Sequence, residues 1–281
     1  MKTIKRIGLV IKPHAPEIED VMRDLARFAG ERKLELRPEE VAARKLGLGA
    51  GIPREKVASE SDLLAVLGGD GTLLSVAHLA ARQKVPVLGV NLGRLGFLTE
   101  VPRDEMILTL DAFLSGNESI VSPRGLLEAR VLNETYLCLN DVVVNKGAKA
   151  RMIEFRIWID DKEIATVKAD GLIVSTPTGS TAYSLSAGGP IVHPAVPAMI
   201  LAPICPHTLS FRSMAVASSS RVRLRILADG EEAYLTMDGQ RGLPLHRDSV
   251  VEIAWSGLTL QLISSPRRNY FDLLHEKLGW G

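Results

Sequence analysis

The first hundred residues alternate short apolar runs with segments whose apolar positions recur every three or four residues. Ile7 to Ile11 and Leu63 to Leu67 are apolar runs typical of buried strands, and Val85 to Val90 predicts a third strand. A helix is predicted over Thr72 to Arg82. Another helix is predicted after Pro16, from apolar residues that share one helix face: Ile18, Val21, Met22, Leu25, Phe28 and Ala29. This order predicts βαβ units around a parallel sheet.

The second half of the chain has a different pattern. From Ile153 to Ile159 apolar and polar residues alternate, and Asp160 to Glu163 predicts a turn into another strand. Similar alternation predicts a series of short strands within Val222 to Ile263. Residues 38 to 60 show no clear period and predict a mobile connection with one short helix, whereas Tyr270 to Leu278 predicts a helix. We therefore expect an α/β domain followed by an all-β, sandwich-like or barrel-like domain.

Composition narrows the class of protein. The chain has 281 residues, of which 46% are hydrophobic and 24% charged, as in an ordinary globular protein. Its 34 basic and 33 acidic residues leave a net charge of +1, which removes the electrostatic argument for a general nucleic-acid or membrane-surface binder. Only Cys138 and Cys205 are present, so we expect no disulfide framework and a reducing, cytoplasmic setting. The uncharged stretch from Gly171 to Phe211 is interrupted by prolines and cannot be one membrane helix.

The segment Gly68-Gly69-Asp70-Gly71 stands between a predicted strand and a predicted helix, where α/β sheets place ligand sites. Glycines let the backbone approach a phosphate, and the following helix N-terminus offers unpaired N–H groups. The segment lacks the Gly-Lys-Ser/Thr ending of a Walker A loop and the spacing of a Gly-x-Gly-x-x-Gly fingerprint. Phosphate binding by Gly68 and Gly69 is one hypothesis. A tight turn with Asp70 near a helix cap is the other.

A second glycine-bearing loop, Asn91 to Leu98, follows the third predicted strand at the same predicted edge of the sheet. Arg94 is a candidate for bidentate binding of a phosphate, and Phe97 is a candidate apolar wall for a base or ring. A solvated Arg94 and a core Phe97 are the alternatives. Two such loops side by side predict a crevice.

The stretch from Thr176 to Pro190 is rich in hydroxyl groups and glycines. Tyr183 offers a stacking face, and Lys168 and Asp170 place opposite charges before the stretch. Fifteen loop residues between ordered β elements are uncommon without a function. The pattern therefore favours a ligand site over a plain loop.

Asn140 and Asp141 interrupt an otherwise apolar strand. Buried polar groups need partners, and the ribose hydroxyls of a ligand or a β-bulge account for this pair equally well. The six histidines show no metal-ligand spacing, and no Ser/His/Asp order or Cys/His pair supports nucleophilic catalysis. We therefore predict no metal site made by the chain alone.

These motifs, in this order, resemble the NAD kinase family, whose members transfer a phosphoryl group from ATP to the 2′-hydroxyl of the adenosine ribose of NAD. The resemblance runs from about residue 63 to the C-terminus. It rests on Gly68 to Gly71, Asn91 to Leu98, Asn140-Asp141, Asp170-Gly171, Thr176 to Gly189, His207 to Ser210 and Lys277 to Trp280. The first of these segments alone also resembles lipid kinases of the diacylglycerol type. The specific part is Thr176 to Ser186 beside Asp170-Gly171.

The resemblance implies three regions: a Rossmann-like α/β domain over residues 1–122, a β-sandwich-like dinucleotide-binding domain over 123–265, and a segment over 266–281 that returns to the first domain. It also implies a homodimer or homotetramer assembled through the β-rich domain. NAD and ATP would be the small-molecule partners, with Mg²⁺ accompanying ATP, and no nucleic acid or membrane partner is expected.

The resemblance also assigns roles to residues. Asp70 looks like the catalytic carboxylate, which would orient or accept the proton of the ribose hydroxyl and help to hold Mg²⁺, with Gly71 beside it. Asn140 and Asp141 would hold the ribose and diphosphate region. The other positions that match dinucleotide-binding positions of the family are Arg151, Lys168, Asp170, Thr178, Thr181, Ala182, Tyr183, Ser184, Leu185, Ser186 and Gln240.

Two positions depart from the family pattern. Asp141 stands where the family more often has Glu, so its hydrogen bond to ribose is expected to run through water. Lys168 stands where many bacterial members have Arg and lacks the planar guanidinium fork, which leaves the choice between NAD and NADH open. The donor, ATP or polyphosphate, and feedback by NADP or NADPH stay open as well. The alternative functions are a lipid kinase and a non-catalytic dinucleotide-sensing module.

Overall fold

The computed structural model describes residues 3–15, 17–147, 152–208, 210–227 and 233–280. The chain divides into two compact units. Unit 1 comprises Met1–Pro123 and Thr259–Gly281, and unit 2 comprises Arg124–Leu258. Unit 1 is α/β and unit 2 is largely β, so the predicted fold class is confirmed.

Within the described residues the α-helices are α1 (Ile18–Glu31), α2 (Glu40–Leu46), α3 (Arg54–Val57), α4 (Asp70–Gln83), α5 (Met106–Leu114), α6 (Tyr183–Ser186) and α7 (Tyr270–Leu278). The strands up to residue 146 are β1 (Arg6–Ile11), β2 (Glu35–Pro38), β3 (Leu63–Gly68), β4 (Val87–Asn91), β5 (Val101–Pro102), β6 (Val121–Val131), β7 (Glu134–Cys138) and β8 (Asp141–Lys146). The later strands are β9 (Ile153–Ile159), β10 (Lys162–Ala169), β11 (Gly171–Ser175), β12 (Ala198–Ile204), β13 (Met214–Ala217), β14 (Val222–Ile226), β15 (Ala233–Met237), β16 (Arg241–Leu245) and β17 (Val250–Ile263).

Unit 1 is built on a parallel sheet in the order β4-β3-β1-β2, and the end of β17 runs parallel to β4. The helix α1 confirms its sequence prediction, because all six apolar residues expected on one face are buried. Acidic residues in its first turn suit the positive end of the helix dipole. The strand order reverses between β1 and β3, so the carboxyl ends of these two strands form a switch point where α/β proteins bind ligands.

The connection over residues 38–60 is more ordered than the sequence predicted. It holds α2 and α3 instead of one short helix, and the buried Glu39 organises it. The Glu39 carboxylate accepts hydrogen bonds from the backbone N–H of Ile11 at 2.8 Å and from Arg54 at 2.7 and 2.9 Å. Helices of seven and four residues are too short to show a period, which is why the apolar pattern did not reveal them.

Unit 2 contains a six-stranded antiparallel sheet in the order β13-β12-β11-β8-β15-β16. In a second layer β10, β9, β14 and the first part of β17 are antiparallel neighbours, and β6 pairs with β7. One buried cluster contains apolar residues of both layers, among them Val144 and Leu172 from the first and Phe155 and Leu224 from the second. This core gives the sandwich-like arrangement expected from the alternating pattern. The strand β17 has 14 residues, so the prediction of only short strands up to Ile263 was wrong there.

The stretch from Thr176 to Pro190 is not the irregular loop that was predicted. It contains a 3₁₀ helix at Thr178–Thr181 followed by α6. Hydroxyl groups build these turns locally, since Ser180 Oγ donates to the carbonyl of Pro177 at 2.7 Å and accepts from the N–H of Val192 at 2.9 Å. Hydrogen bonds of this kind leave no hydrophobic period in the sequence.

Among the described residues, no helix combines the length and the apolar composition that a membrane crossing requires.

Candidate active site

The glycine turn of unit 1 lies at the carboxyl end of the parallel sheet. Gly68 ends β3 and is aligned with Asn91 at the end of the neighbouring β4. The two glycine-bearing loops therefore start side by side, which confirms that they share one sheet edge. The helix α4 begins at Asp70, two residues earlier than predicted, with Gly69 as its extended N-cap residue. Asp70 thus sits in the first turn of α4, where a negative charge is favoured by the helix dipole.

The Asp70 carboxylate is held by the second loop. Its Oδ1 accepts from the backbone N–H groups of Leu98 at 3.1 Å and Thr99 at 2.9 Å, and from Thr99 Oγ1 at 2.9 Å. Its Oδ2 accepts from the N–H of Phe97 at 2.9 Å. An ionised carboxylate has about four acceptor positions over two oxygens. Oδ1 is therefore saturated by the protein, while Oδ2 keeps capacity for a hydrogen bond to a ligand.

The close approach of the two loops explains one glycine. A Cβ at Gly96 would collide with Asp70 Oδ1 and come within 2.5 Å of Thr99 Oγ1. Only a residue without a side chain leaves room for the carboxylate at this position. Gly69, by contrast, has open space where a Cβ would lie, so its backbone is accessible to a ligand.

Asn91 fixes the second loop from inside. This buried side chain donates through Nδ2 to the carbonyl of Arg94 at 2.6 Å and to Thr99 Oγ1 at 3.3 Å, and its Oδ1 accepts from the N–H of Gly93 at 2.7 Å. The Arg94 side chain is exposed to solvent. Phe97 is half-buried, with the Lys277 ammonium 5.6 Å from its ring centroid.

Unit 2 contains a separate cavity of about 340 Å³, within the range of small-molecule sites. Four predicted site residues line it, and five further residues complete its wall. The lining residues are Asn140, Asp141, Val143, Asn145, Ala182, Tyr183, Thr236, Asp238 and Gly239. The cavity therefore brings together the Asn140-Asp141 pair and the start of α6, which are 42 positions apart in the sequence, counted from Asp141 to Tyr183.

Asn140 lies between two strands of different sheets and Asp141 begins the second, because β7 ends at Cys138 and β8 begins at Asp141. The prediction of one interrupted strand was therefore wrong. The backbone bends here because its polar groups bond to residues distant in sequence. Thr176 donates its N–H to the carbonyl of Asn140 at 2.9 Å and its Oγ1 to the carbonyl of Leu139 at 2.6 Å. Gly179 packs directly on the Asn140 carbonyl, and a Cβ there would collide with it.

Asp238 is a wall residue that no site motif of the sequence includes, since Asp238-Gly239 by itself indicates only a turn. Its carboxylate accepts from the consecutive backbone N–H groups of Leu139, Asn140 and Asp141 at 2.8, 2.7 and 3.0 Å. About a hundred positions separate it from these partners, and only the pairing of β15 with β8 brings them together. An Asp-Gly turn by itself gives no indication of such contacts.

Two carboxyl groups share this cavity. Burial, and then the neighbouring Asp238 carboxylate, raise the pKa of Asp141 to about 7. Burial also raises the pKa of Asp238 to about 6, although the three backbone N–H groups oppose the shift. Burial raises the pKa of the adjacent Cys138 thiol as well. The cavity can therefore present both a donating and an accepting carboxyl group near neutral pH.

Two buried polar atoms near the cavity have no hydrogen-bond partner among the described residues. They are Asn145 Oδ1, from a cavity-lining residue, and Ser184 Oγ, from the residue after Tyr183. Buried polar atoms are nearly always paired in native proteins, so Asn145 Oδ1, on a cavity-lining residue, is suited to a polar group of a bound molecule.

The other predicted residues are distributed around this region of unit 2. Asp170 pairs with Lys146 at 2.9 Å, and Lys168 lies 3.8 Å from Glu154, so the two predicted opposite charges pair with other partners. Thr178 is buried, Thr181 and Leu185 are half-buried, and Ser186 and Gln240 are exposed. Arg151 lies outside the described residues.

Two models of protein families match the chain. The family model described as ATP-NAD kinase N-terminal domain matches residues 7–118, and the one described as ATP-NAD kinase C-terminal domain matches residues 139–265. The chain belongs to the ATP-NAD kinase family. Membership makes it an enzyme that uses ATP to phosphorylate NAD, giving NADP. The lipid-kinase and sensing-module alternatives receive no support from these matches.

Individual members of the family are similar in sequence to this chain over nearly its whole length. The NAD kinase of Solibacter usitatus is 42% identical over 286 residues, covering 100% of this chain and 99% of that protein. The NAD kinase of Geobacter sulfurreducens is 43% identical over 282 residues, with 99% of each chain covered.

Two solved structures share the fold. A yeast NADH kinase complexed with NADH superposes with a TM-score of 0.88 at 25% identity, covering 100% of this chain and 89% of that one. An NAD kinase from Archaeoglobus fulgidus in complex with ATP gives a TM-score of 0.78 at 23% identity, covering 98% and 100%. The second likeness shows the fold alone.

Proposed function

We propose that this member of the family transfers the γ-phosphoryl group of ATP to the 2′-hydroxyl of the adenosine ribose of NAD, with Asp70 as the group that accepts the hydroxyl proton. The observation that supports this role is the uneven use of the Asp70 oxygens. Three donors occupy Oδ1 and one occupies Oδ2. Oδ2 therefore has a fixed direction and a remaining acceptor position, as a general base requires.

In the proposed reaction the 2′-oxygen of the ribose forms a bond to the γ-phosphorus, and the bond from that phosphorus to the β,γ-bridging oxygen breaks, releasing ADP. The hydroxyl proton passes to Asp70 Oδ2. Phosphoryl transfer needs little covalent help, so positioning supplies most of the rate enhancement. The open backbone at Gly69 and the exposed Arg94 are the proposed phosphate contacts beside this carboxylate.

We assign the dinucleotide to the cavity of unit 2. Its volume, the two carboxyl groups of Asp141 and Asp238, and the unpartnered Oδ1 of Asn145 support a ligand rich in hydroxyl and amide groups. Tyr183, 46% exposed, offers a ring face to a base.

Mg²⁺ is proposed to arrive with ATP. No group of three or more His, Cys, Asp or Glu side chains placed to hold a metal occurs within the described ranges, and Mg²⁺ commonly binds through substrate phosphates, waters and one or two carboxylates. Since the remaining acceptor position on Asp70 Oδ2 is assigned to the hydroxyl proton, the ion would be held mainly by phosphate oxygens and water beside this carboxylate. The ion, when bound, neutralises charge on the β- and γ-phosphate oxygens.

We further propose a cytoplasmic homodimer or homotetramer that has no nucleic-acid or membrane partner. The net charge of +1 supports the last point, since nucleic-acid and membrane surfaces attract basic proteins. Cys138 and Cys205 are both free thiols, as a reducing compartment favours.

The decisive test is NADP formation from NAD with ATP and Mg²⁺, followed with an NADP-specific dehydrogenase. Asp70→Asn is expected to lower kcat by roughly 10²- to 10⁴-fold, the usual effect of losing a general base. NADH and polyphosphate, assayed in parallel, define the acceptor and donor range.

Calorimetric binding of NAD to the Asp70→Asn protein is the control, because the proposed dinucleotide contacts lie in unit 2 and should persist. Near-normal turnover by this variant would refute the role of Asp70. NAD binding without turnover by the unchanged protein, with every donor, would instead indicate a sensing module.

A further inference from the structure

The turn between β15 and β16 brings a carboxylate to the cavity of unit 2. Asp238 and Gly239 both have left-handed backbone conformations, with φ of 51° and 62°. Such a turn reverses the chain within two residues and directs the strands of a hairpin back along each other. Asp238 and Gly239 line the cavity, so the turn is part of its wall.

The Asp238 carboxylate collects three consecutive backbone donors. Oδ2 accepts from Leu139, and Oδ1 accepts from both Asn140 and Asp141. The N–H of Asp238 in turn donates to the carbonyl of Asp141 at 3.0 Å. Hydrogen bonds to a carboxylate are about twice as strong as neutral ones, so this one side chain fixes the backbone of the whole segment.

The opposite side of the same segment is fixed by Thr176, which bonds the carbonyls of Leu139 and Asn140. The backbone N–H and carbonyl of Asn140 are thus both occupied by protein. Its side chain alone is left for the cavity.

We propose that Asp238 is a positioning residue for the reaction, which sets the backbone of Asn140 and Asp141 so that their side chains meet the ribose of NAD. The inference rests on the proposed function, in which these two residues hold the dinucleotide. The three N–H groups belong to the segment that carries both proposed ribose contacts, so the Asp238 carboxylate fixes the backbone of the binding residues themselves.

The chain supplies a matched control. Asp160 also occupies a left-handed turn position, with φ of 49°, in the hairpin of β9 and β10. Its carboxylate accepts from the N–H of Arg221 and from Ser220 Oγ, both at 2.9 Å, and it is not among the cavity residues. Asp160→Asn therefore makes the same chemical change in the same unit and backbone conformation.

Asp238→Asn is expected to raise the KM for NAD roughly tenfold, the change that 1.4 kcal/mol produces. The amide keeps one accepting oxygen but turns its NH₂ group, a donor, towards the N–H of Leu139. The KM for ATP should stay within about twofold of the unchanged protein. Asp160→Asn should leave the KM values for NAD and for ATP unchanged. Thermal unfolding of both variants is measured to check that they are folded.

A double-mutant cycle with Asn140→Ala identifies the route of the effect. If Asp238 acts through Asn140, the combined variant should lose less affinity for NAD, measured as KM, than the sum of the losses in the two single variants. The positioning role would be overturned if the effects of the two substitutions on the KM for NAD were fully additive. It would also be overturned if the Asp238→Asn protein were folded and had an unchanged KM for NAD. An Asn140→Ala protein with normal KM for NAD would instead show that the cavity does not hold the dinucleotide, which refutes that part of the proposed function.

Discussion

The Asp70 carboxylate depends on Thr99 for its direction. Thr99 is fully buried and gives Asp70 Oδ1 two hydrogen bonds, one from its N–H and one from its Oγ1. The same Oγ1 accepts from Asn91, so a chain of hydrogen bonds runs from the end of β4 to the carboxylate. A catalytic group that must meet a hydroxyl at one atom benefits from such fixed support.

Thr99→Val is expected to lower kcat by roughly 10- to 150-fold, as about 1.5–3 kcal/mol from a lost hydrogen bond to a charged group gives. Both KM values should change by less than about twofold, because Thr99 has no proposed substrate contact. Thr99→Ser keeps the hydroxyl and is the control in steady-state kinetics. Equal kcat for the Ser and Val variants would show that the hydroxyl does not support Asp70.

At the same scale, the sequence could propose Asp70 and Asn140 as candidate site residues but not the residues that support them. The glycines around Asp70 and the polar break at Asn140 are local patterns that indicate a ligand site. Asp238 and Thr99 carry no such pattern, because their importance comes from contacts made only after the sheets pair. Residues of this kind can be found only from the folded structure.

Among the elements, those with a long apolar period were predictable. The helix α1 was predicted residue by residue on its buried face, and α7 was predicted with its exact bounds. The helix α6 was missed and only one helix was expected where α2 and α3 lie, since helices of four to seven residues are too short to show an apolar period.

The contact that holds α2 and α3 is the Glu39–Arg54 pair. Arg54 also reaches Ser75 Oγ on α4 at 3.2 Å, so one guanidinium links three helices. Removing it leaves the Glu39 carboxylate, 2% exposed, without its charged partner.

Arg54→Met is expected to lower the free energy of unfolding by about 2 kcal/mol, less than for a fully buried pair because the Arg54 side chain is 35% exposed. The exposed Arg44 on α2 is the matched control. Arg44→Met should change the free energy of unfolding by no more than about 0.5 kcal/mol. Urea unfolding of the two variants makes the comparison. Equal losses would show that the pair adds nothing specific.

For the whole molecule, the buried carboxyl groups link stability to pH. The pKa of Asp141 is about 7 in the folded chain, above its ordinary value of 3.8. Between these values the folded state holds a proton that the unfolded state releases, so the contribution of Asp141 makes the chain less stable as pH rises through this window.

Asp141→Asn removes the buried charge, so the variant should melt at a higher temperature than the unchanged protein at pH 8. This difference in melting temperature should become smaller as the pH falls towards 4. Asp160→Asn is the control of opposite sign. Hydrogen bonds from Arg221 and Ser220 lower the pKa of Asp160, so its contribution is stabilising above pH 4 and its loss should lower the melting temperature at pH 8. Calorimetry at pH 5 and pH 8 measures both, and a pH-independent gain for Asp141→Asn would contradict the linkage.

Apolar residues recur every three or four positions in the first half of the chain and every second position in the second half. The first spacing is typical of helices and the second of strands, so the sequence predicted an α/β half and a β half. The length of β17 was not predictable in the same way. Its first part belongs to unit 2 and its last part to unit 1, and a strand interrupted by polar residues reads as several short strands.

The division of β17 has a consequence for synthesis on the ribosome. Unit 1 draws residues from both ends of the chain, so its N-terminal part waits for Thr259–Gly281 while all of Arg124–Leu258 is translated. At roughly 5–20 residues per second this delay is on the order of ten seconds. During that time Val87 and Leu88 of β4 lack their neighbours from β17, so this part of the strand edge is open to pairing with other chains.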